Sequence, residues 1–156
     1  MRGQLRMSSR AMNPEDAEDL LARAPVGHLG TFGVDGYPYV TPLFYAYLDG
    51  RIYFHCAPEG HKIDNIKQCP RVCFEVCELD QVVGTPSSPC EASAKFKSVV
   101  AFGKARPVTD PDEKLRALTH LVAKYGFDPS ALPPEASSAC TVVSVDVEFL
   151  TGKAAR

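Results

Sequence analysis

The chain has 156 residues, of which 45% are hydrophobic and 23% charged, so it is long enough for one globular domain and too apolar to be disordered. The composition also excludes a collagen-like or coiled-coil chain. Basic and acidic side chains number 17 and 19, and the resulting formal charge of -2 gives no support to a nucleic-acid or membrane partner.

The N-terminal segment and the cysteines bear on the cellular compartment. Residues 1–11 are basic but contain no apolar run, so they do not resemble a signal peptide and are expected to be flexible. No stretch approaches the ~20 apolar residues that a membrane span needs. We therefore expect a cytoplasmic protein with reduced cysteines. Cys69, Cys73 and Cys77 are four residues apart, but their neighbours indicate a strand, which favours buried thiols over a metal or cluster site.

The first predicted element is a helix, followed by a series of strands. Asn13 can cap the helix, Pro14 suits its first position, and Pro25 ends it. The apolar pattern then changes to a period of two, which predicts strands with turns between them. These strands are expected at 27–32, 37–47 and 51–56. The prolines at 38 and 42 place the middle strand at an edge or a bulge.

The second half of the chain mixes strands with two further helices. A short helix is predicted at 61–68 and a longer one from Asp110 to about Tyr125. Strands are expected at 71–77, 97–108 and 139–150, with a long irregular loop at 80–95. Six antiparallel strands joined mostly by hairpins tend to close into a barrel, because closure removes exposed edges. The sequence therefore predicts an α+β fold with a small barrel and two to three peripheral helices, in one domain over residues 12–153.

The segment from 56 to 62 has the pattern of a phosphate site. A strand ends there, Gly60 permits close approach of the backbone, and a helix opens at His61 and Lys62. Exposed amides at a helix start and a lysine charge favour a phosphate. The alternative interpretation is that both side chains are solvated surface residues. The neighbouring strands are rich in aromatic residues, which form either the barrel core or a platform for a flat ring: Tyr39, Phe44, Tyr45, Tyr47, Tyr53 and Phe54.

Several ordered motifs resemble the flavin-binding split-barrel superfamily. They are GYPYVTPL at 36–43, IYFHCAPEGHKIDNI at 52–66, PRVCFEV at 70–76, PC at 89–90, Ser93, KFKSVV at 95–100 and LTGK at 150–153. The branch that they resemble is that of the NimA-type 5-nitroimidazole resistance proteins, which are relatives of pyridoxamine 5'-phosphate oxidase. The resemblance implies a six-stranded antiparallel split β-barrel that forms a homodimer, with FMN bound in two clefts at the interface.

The resemblance also assigns site residues. The arginine-lysine phosphate clamp of the oxidase falls on His61 and Lys62, its tyrosine-threonine pair on Phe54 and His55, and its later glutamine on Ser98, which would reach FMN from the partner subunit. The first cofactor strand corresponds to Thr41, Pro42, Leu43, Phe44 and Tyr45.

These assignments predict a flavoprotein oxidoreductase that reduces small electron-poor compounds such as nitroimidazoles. His55 is the candidate catalytic residue, because it could place a proton donor or nucleophile beside the cofactor; alternatively it packs at a strand end. The other functional hypotheses are a flavin-binding or redox-sensing module without turnover, and a relative that uses haem or the deazaflavin F420. No metal site is expected.

Overall fold

The computed structural model describes residues 5–84, 93–133, 136 and 140–155, and over these it forms one antiparallel sheet with three α-helices. The strands follow one another in space in the order β2-β1-β5-β6-β7-β4-β3. Their bounds are β1 Gly27–Phe32, β2 Pro38–Leu43, β3 Ala46–Leu48, β4 Arg51–Cys56, β5 Arg71–Val83, β6 Ser93–Pro107 and β7 Thr141–Ala155.

The helices lie where their start signals predict them. They are α1 Pro14–Arg23, α2 His61–Gln68 and α3 Pro111–Lys124. The side chain of Asn13 accepts a hydrogen bond from the Asp16 amide at 2.7 Å, and that of Asp110 accepts one from the Asp112 amide at 3.2 Å. Each cap satisfies an amide that has no acceptor inside its helix. Short 3-10 turns occupy Ser8–Arg10 and Pro129–Ala131.

The prediction of an α+β fold with an antiparallel sheet and peripheral helices is confirmed. The predicted six strands and their closure into a barrel are wrong, because the described sheet has seven strands and remains open between β2 and β3. The additional strand arises where the run 37–47 divides at Phe44 and Tyr45. There the Tyr45 amide donates to the hydroxyl of Tyr125 at 3.1 Å instead of to a neighbouring strand. The same hydroxyl donates to the Pro25 carbonyl at 2.7 Å. The Tyr125 side chain, at the end of α3, therefore fixes two parts of the chain. These are the corner formed by Phe44 and Tyr45 and the segment that leads into β1.

The long strands also extend further than predicted. β5 continues to Val83 and β6 begins at Ser93, so both flanks of the expected loop at 80–95 are paired strand. Residues 85–92, including Pro89 and Cys90, lie outside the described residues. β7 continues to Ala155 because its last residues pair with β6. The β5 extension exposes Leu79 and Val82 beside Asp80 and Gln81, so it lacks the alternation of apolar and polar residues that would predict a strand.

Two apolar clusters lie on opposite faces of β4. Phe54 belongs to the main core, which is lined by the inner face of the sheet and by α1 and α2. Tyr53 belongs to a second cluster with Val142 and Leu118, under α3. At the rim of this second cluster Glu113 accepts hydrogen bonds from Arg106 at 2.8 Å and from the Tyr53 hydroxyl at 3.0 Å. The Arg106 guanidinium holds the pKa of Glu113 below its usual range.

The described cysteines are half-buried or exposed, and none of them forms a disulfide. The expectation of buried thiols is therefore wrong for them. Cys73 and Cys77 lie on β5 as predicted, at positions that point away from the core, and Cys77 is exposed. In the described part of the chain no three His, Cys, Asp or Glu side chains come together to hold a metal ion. No helix among these residues is long and apolar enough to cross a membrane.

An unusual lysine lies at the corner. The Nζ atom of Lys124 is 3.6 Å from the centroid of the Tyr45 ring and has no hydrogen-bond partner among the described residues. Burial lowers the pKa of Lys124 to about 8. The Tyr45 hydroxyl donates to the Leu21 carbonyl, and burial raises the pKa of that tyrosine above its ordinary range.

Replacing this amine should change the pH dependence of stability. Between pH 8 and 10.5 the unfolded chain holds the Lys124 proton more tightly than the folded chain, so stability rises with pH in this window. The Lys124→Met variant lacks this rise. Between pH 7.5 and pH 9.5 the free energy of unfolding should therefore increase by about 1 kcal/mol more in the wild type than in the variant, after allowance for the partial exposure of Lys124. Urea unfolding at both pH values measures it. The exposed Lys67→Met is the control, and equal changes in all three proteins would contradict the prediction.

Candidate phosphate and cofactor site

A buried asparagine fixes the position of α2 against β1. Asn65 is 0% exposed, and its side-chain amide donates to the Thr31 hydroxyl at 3.0 Å. Its side-chain oxygen accepts from the Val34 amide, in the turn after β1, at 3.3 Å. Buried polar groups of this kind are costly unless both partners are present. The helix that opens at His61 is therefore held in one register on the sheet.

The first turn of α2 leaves donors free. Gly60 occupies the N-cap position of the helix with a φ of 121°, which lies in the region that favours glycine. It has no side chain that could accept a hydrogen bond from the first amides of the helix. The first backbone hydrogen bonds of the helix start at Ile63 and Asp64, which both donate to the Gly60 carbonyl. The amides of His61 and Lys62 consequently have no acceptor within the helix. Such amides at a helix start can bind an anion.

β2 brings two side chains to the same region. Tyr39 and Thr41 are two residues apart, so they share the face of the strand that looks toward α2. The ring centroids of Tyr39 and His61 are 4.4 Å apart at an interplanar angle of 32°. The Thr41 hydroxyl oxygen is buried and has no hydrogen-bond partner among the described residues. A buried hydroxyl without a partner is uncommon, because each such group costs stability.

Lys62 supplies a positive charge that no carboxylate neutralises in the described part of the chain. Its Nζ atom lies 5.3 Å from the centroid of the Phe54 ring. The charge of Lys62 opposes the effect of burial on Cys56, at the end of β4, whose thiol pKa is nevertheless raised. Amides, a lysine, a histidine and a hydroxyl are the donors that a phosphate monoester needs, so the residues present fit such a group.

The other residues assigned to the first cofactor strand are dispersed. Tyr45 is enclosed in the core, with its ring 4.7 Å from that of Phe74, so its side chain faces no ligand. Leu43 packs against the core, whereas Phe44 is 62% exposed and its ring meets Tyr125 edge-on at 4.9 Å. Pro42 is exposed on the outer face of β2. Thr41 alone of this group shares the strand face of Tyr39, whose ring contacts His61.

His55 and Ser98 lie apart from the donor cluster. His55 is exposed and shares the α3 face of β4 with Tyr53, whereas Phe54 and the nearby Lys62 lie on the opposite face. Ser98 lies on β6, opposite Cys77 and Lys153, on the side of the sheet that points away from the core. Within one chain the structure therefore places Tyr39 beside His61 and Phe54 beside Lys62, with Thr41 on the same strand face as Tyr39. Neither His55 nor Ser98 lies with these residues.

The outer face of the sheet exposes several large apolar side chains, with Arg71 and Glu148 among them. Phe32 is 61% exposed and Val40 60%, and both point away from the core. A groove of about 420 Å³ crosses this face between Phe32, Pro38, Cys73 and Phe102. Ser98 lies on the same face, four residues before Phe102 along β6. An apolar area of this kind on a protein surface is typical of an interaction site.

Comparison with known proteins identifies the family. Residues 13–154 match the family described as pyridoxamine 5'-phosphate oxidase. The chain belongs to this family. An uncharacterised family relative from Rhizobium meliloti is 27% identical over 159 residues, which cover 96% of this chain and 97% of the relative.

Solved structures share the fold of this pyridoxamine 5'-phosphate oxidase family member. A candidate 5-nitroimidazole antibiotic resistance protein of Bacteroides thetaiotaomicron is 26% identical, with a TM-score of 0.80, over 92% of this chain and 85% of that protein. A FAD-binding protein of Mesorhizobium loti is 27% identical, with a TM-score of 0.70, over 94% and 98%. The flavocytochrome Anf3 of Azotobacter vinelandii, at 24% identity and a TM-score of 0.83 over 98% of this chain and 72% of its own, shows the fold alone.

Two residues that sequence reasoning left out of the site help to position it in this family member. Tyr39 was predicted only as one of several aromatic residues, although alternation along β2 places it with Thr41. Asn65 was not selected. A polar residue inside the helical pattern of α2, between Ile63 and Ile66 on its buried face, is the signal that could have identified it.

Removing the Asn65 side chain should loosen this arrangement. Asn65→Ala removes the acceptor of the Val34 amide and the donor to the Thr31 hydroxyl, which keeps only its bond to the Tyr39 carbonyl, and the loss of a buried hydrogen-bond partner costs about 1–3 kcal/mol. We expect the free energy of unfolding to fall by about 2–3 kcal/mol in urea titrations. Lys67→Ala, an exposed change on the same helix, should stay within about 0.5 kcal/mol of the wild type. The same stability for both variants would show that Asn65 does not anchor α2.

Proposed function

We propose that this protein is an FMN-binding homodimeric oxidoreductase that reduces small electron-poor compounds such as nitroimidazoles. The observation that carries the proposal is the group of unpaired donors at the start of α2, where His61 and Lys62 face no acceptor in the described part of the chain. The buried and unpartnered Thr41 hydroxyl adds a donor. Family membership and the flavin-binding neighbour of 27% identity support a flavin in this place.

Each of these groups has a distinct task in the proposal. Lys62 provides a charge-assisted contact to a phosphate dianion, and the α2 amides and the Thr41 hydroxyl provide neutral hydrogen bonds. Phe54, under the Lys62 ammonium, closes the apolar side of the cluster. When bound, the flavin ring supplies the redox chemistry, and the protein supplies binding, orientation and access for a substrate.

The homodimer rests on the outer face of the sheet. This face exposes Phe32, Val40 and Phe149 with relative accessibilities of 61%, 60% and 41%, which is costly for an isolated chain in water. A second copy covers this surface in the proposal. Ser98 lies on this outer face, so its predicted role toward the partner's cofactor depends on such a second copy.

The substrate class rests on the similarity to the Bacteroides protein and is the finer part of the proposal. His55 remains a proposed catalytic residue. Its position on the α3 face of β4, away from Phe54 and Lys62, favours the second candidate function, a flavin-binding or redox-sensing module without turnover. A relative that uses haem or F420 is the remaining alternative.

Cofactor titration tests the proposal directly. Purified protein, stripped of any bound ligand, is titrated with FMN, FAD, haem and F420 under calorimetry and absorbance. We expect FMN to bind at about one molecule per chain and a yellow protein to elute as a dimer. NAD(P)H and a panel of nitroarenes then separate the enzyme from the module, because only an enzyme consumes both. Failure to bind FMN, or tighter binding of haem or F420, would refute the proposed cofactor.

Lys62 should contribute more to FMN binding than any other single side chain. A hydrogen bond to a charged group is worth about 1.5–3 kcal/mol, so Lys62→Ala should weaken FMN binding roughly ten- to a hundredfold in calorimetry. Lys67→Ala, in the last turn of the same helix, is the matched control and should bind FMN like the wild type. Unchanged affinity of Lys62→Ala would leave the amides at the helix start as the phosphate ligands.

A further inference from the structure

The contact between Tyr39 and His61 joins two elements that share one anchor. The Tyr39 carbonyl accepts a hydrogen bond from the Thr31 hydroxyl at 3.3 Å, and the same hydroxyl accepts from Asn65 of α2 at 3.0 Å. Thr31 is 4% exposed, so this anchor is buried. The strand that carries Tyr39 and the helix that carries His61 are thereby fixed to one atom, and the ring contact at 4.4 Å is held from both sides.

Among the described residues the ring of Tyr39 is the one partner of the His61 side chain. His61 is exposed, and within the described residues its ring nitrogens form neither a hydrogen bond nor a salt bridge. Packing on Tyr39 restricts the imidazole while leaving its nitrogens free for a ligand.

We propose that Tyr39 is a positioning residue that orients His61 as a ligand of the FMN phosphate, and that the phosphate affinity of this site therefore falls as the pH rises through neutrality. The inference rests on the proposed function, because it concerns the same cofactor. It gives each of two residues a specific role: His61 binds the phosphate, and Tyr39 acts on the cofactor only by orienting His61.

The charges around His61 are compatible with such a response. On α2 the neighbouring groups are Lys62 and Asp64, and Glu59 precedes the helix. β2 contributes Tyr39 as its one titratable side chain. On β1 the one titratable side chain is His28, which lies on the outer face of the sheet. Its Nδ1 atom is 3.2 Å from the Oε2 atom of Glu75. On β4 the nearest such group is Cys56, beside Lys62. Histidine is the group of this set that changes charge between pH 5 and 8.

The experiment compares FMN with riboflavin, which lacks the phosphate, over pH 6.5 to 8.5 by fluorescence titration. In the wild type we expect FMN affinity to fall about five- to tenfold across this range, because a charged donor binds phosphate more strongly than a neutral one. Riboflavin affinity should stay constant. His61→Gln should bind FMN weakly and His61→Arg tightly, each with a flat pH profile.

Tyr39 is tested by rescue. Tyr39→Phe keeps the ring and should retain both the affinity and the pH profile, whereas Tyr39→Leu should lose at least half of the pH-dependent change while binding riboflavin normally. Unchanged riboflavin binding shows that each variant is folded. A flat FMN profile in the wild type, or the wild-type profile in Tyr39→Leu, would overturn the inference and leave the proposed function intact. Absence of binding of both flavins by the wild type would refute the proposed function itself.

Discussion

The two-residue corner at Phe44 and Tyr45 determines how the rest of the molecule is arranged. It joins β2 to β3, which are the two edges of the open sheet, so the chain passes here from one end of the strand order to the other. The hydroxyl of Tyr125 replaces a neighbouring strand at this point, accepting from the Tyr45 amide and donating to the Pro25 carbonyl. Because a buried amide must find an acceptor, this hydroxyl allows the sheet to curl without closing.

The corner also explains why the donor cluster can form. With β2 at one edge, the ring of Tyr39 meets His61 in the first turn of α2, and Thr41 lies on the same face of the strand. With β4 near the other edge, its end delivers the loop that leads to Gly60. The main core lies between these elements, so the ligand groups stand on secondary structure with buried anchors and not on long loops.

Local patterns of the sequence were sufficient for most of the fold. The capping residues Asn13 and Asp110 placed two helices, and alternation of apolar residues placed the strands. The division of the run 37–47 could not be predicted, because the group that divides it, Tyr125, lies 80 residues away from Tyr45. The sequence does not predict the extensions of β5 and β6 for a related reason: Leu79 and Val82 are exposed together with polar residues, so no alternation marks a strand, and only their mutual pairing makes them strands.

The same distinction applies to the candidate site. Gly60, His61 and Lys62 form a local pattern, so the sequence predicts that they lie together at a helix start. Asn65, Thr31 and Tyr39 meet through contacts between distant parts of the chain, and no local pattern indicates which polar residue will be buried. Strand alternation predicts that His55 and Tyr53 share one face of β4. The sequence does not predict that α3 covers this face, because that contact joins distant parts of the chain.

The prolines of β2 have a consequence for how copies of this chain can associate. Backbone N–H groups two residues apart point to the same side of a strand, and Pro38, Val40 and Pro42 form such a series. The two prolines of this series have no N–H group. Because the nitrogen of a proline in a sheet lies on the unpaired side of the strand, this edge offers few hydrogen-bond donors to an added strand. The opposite edge, β3, is three residues long. Neither edge is therefore a good template for the addition of a strand from another chain.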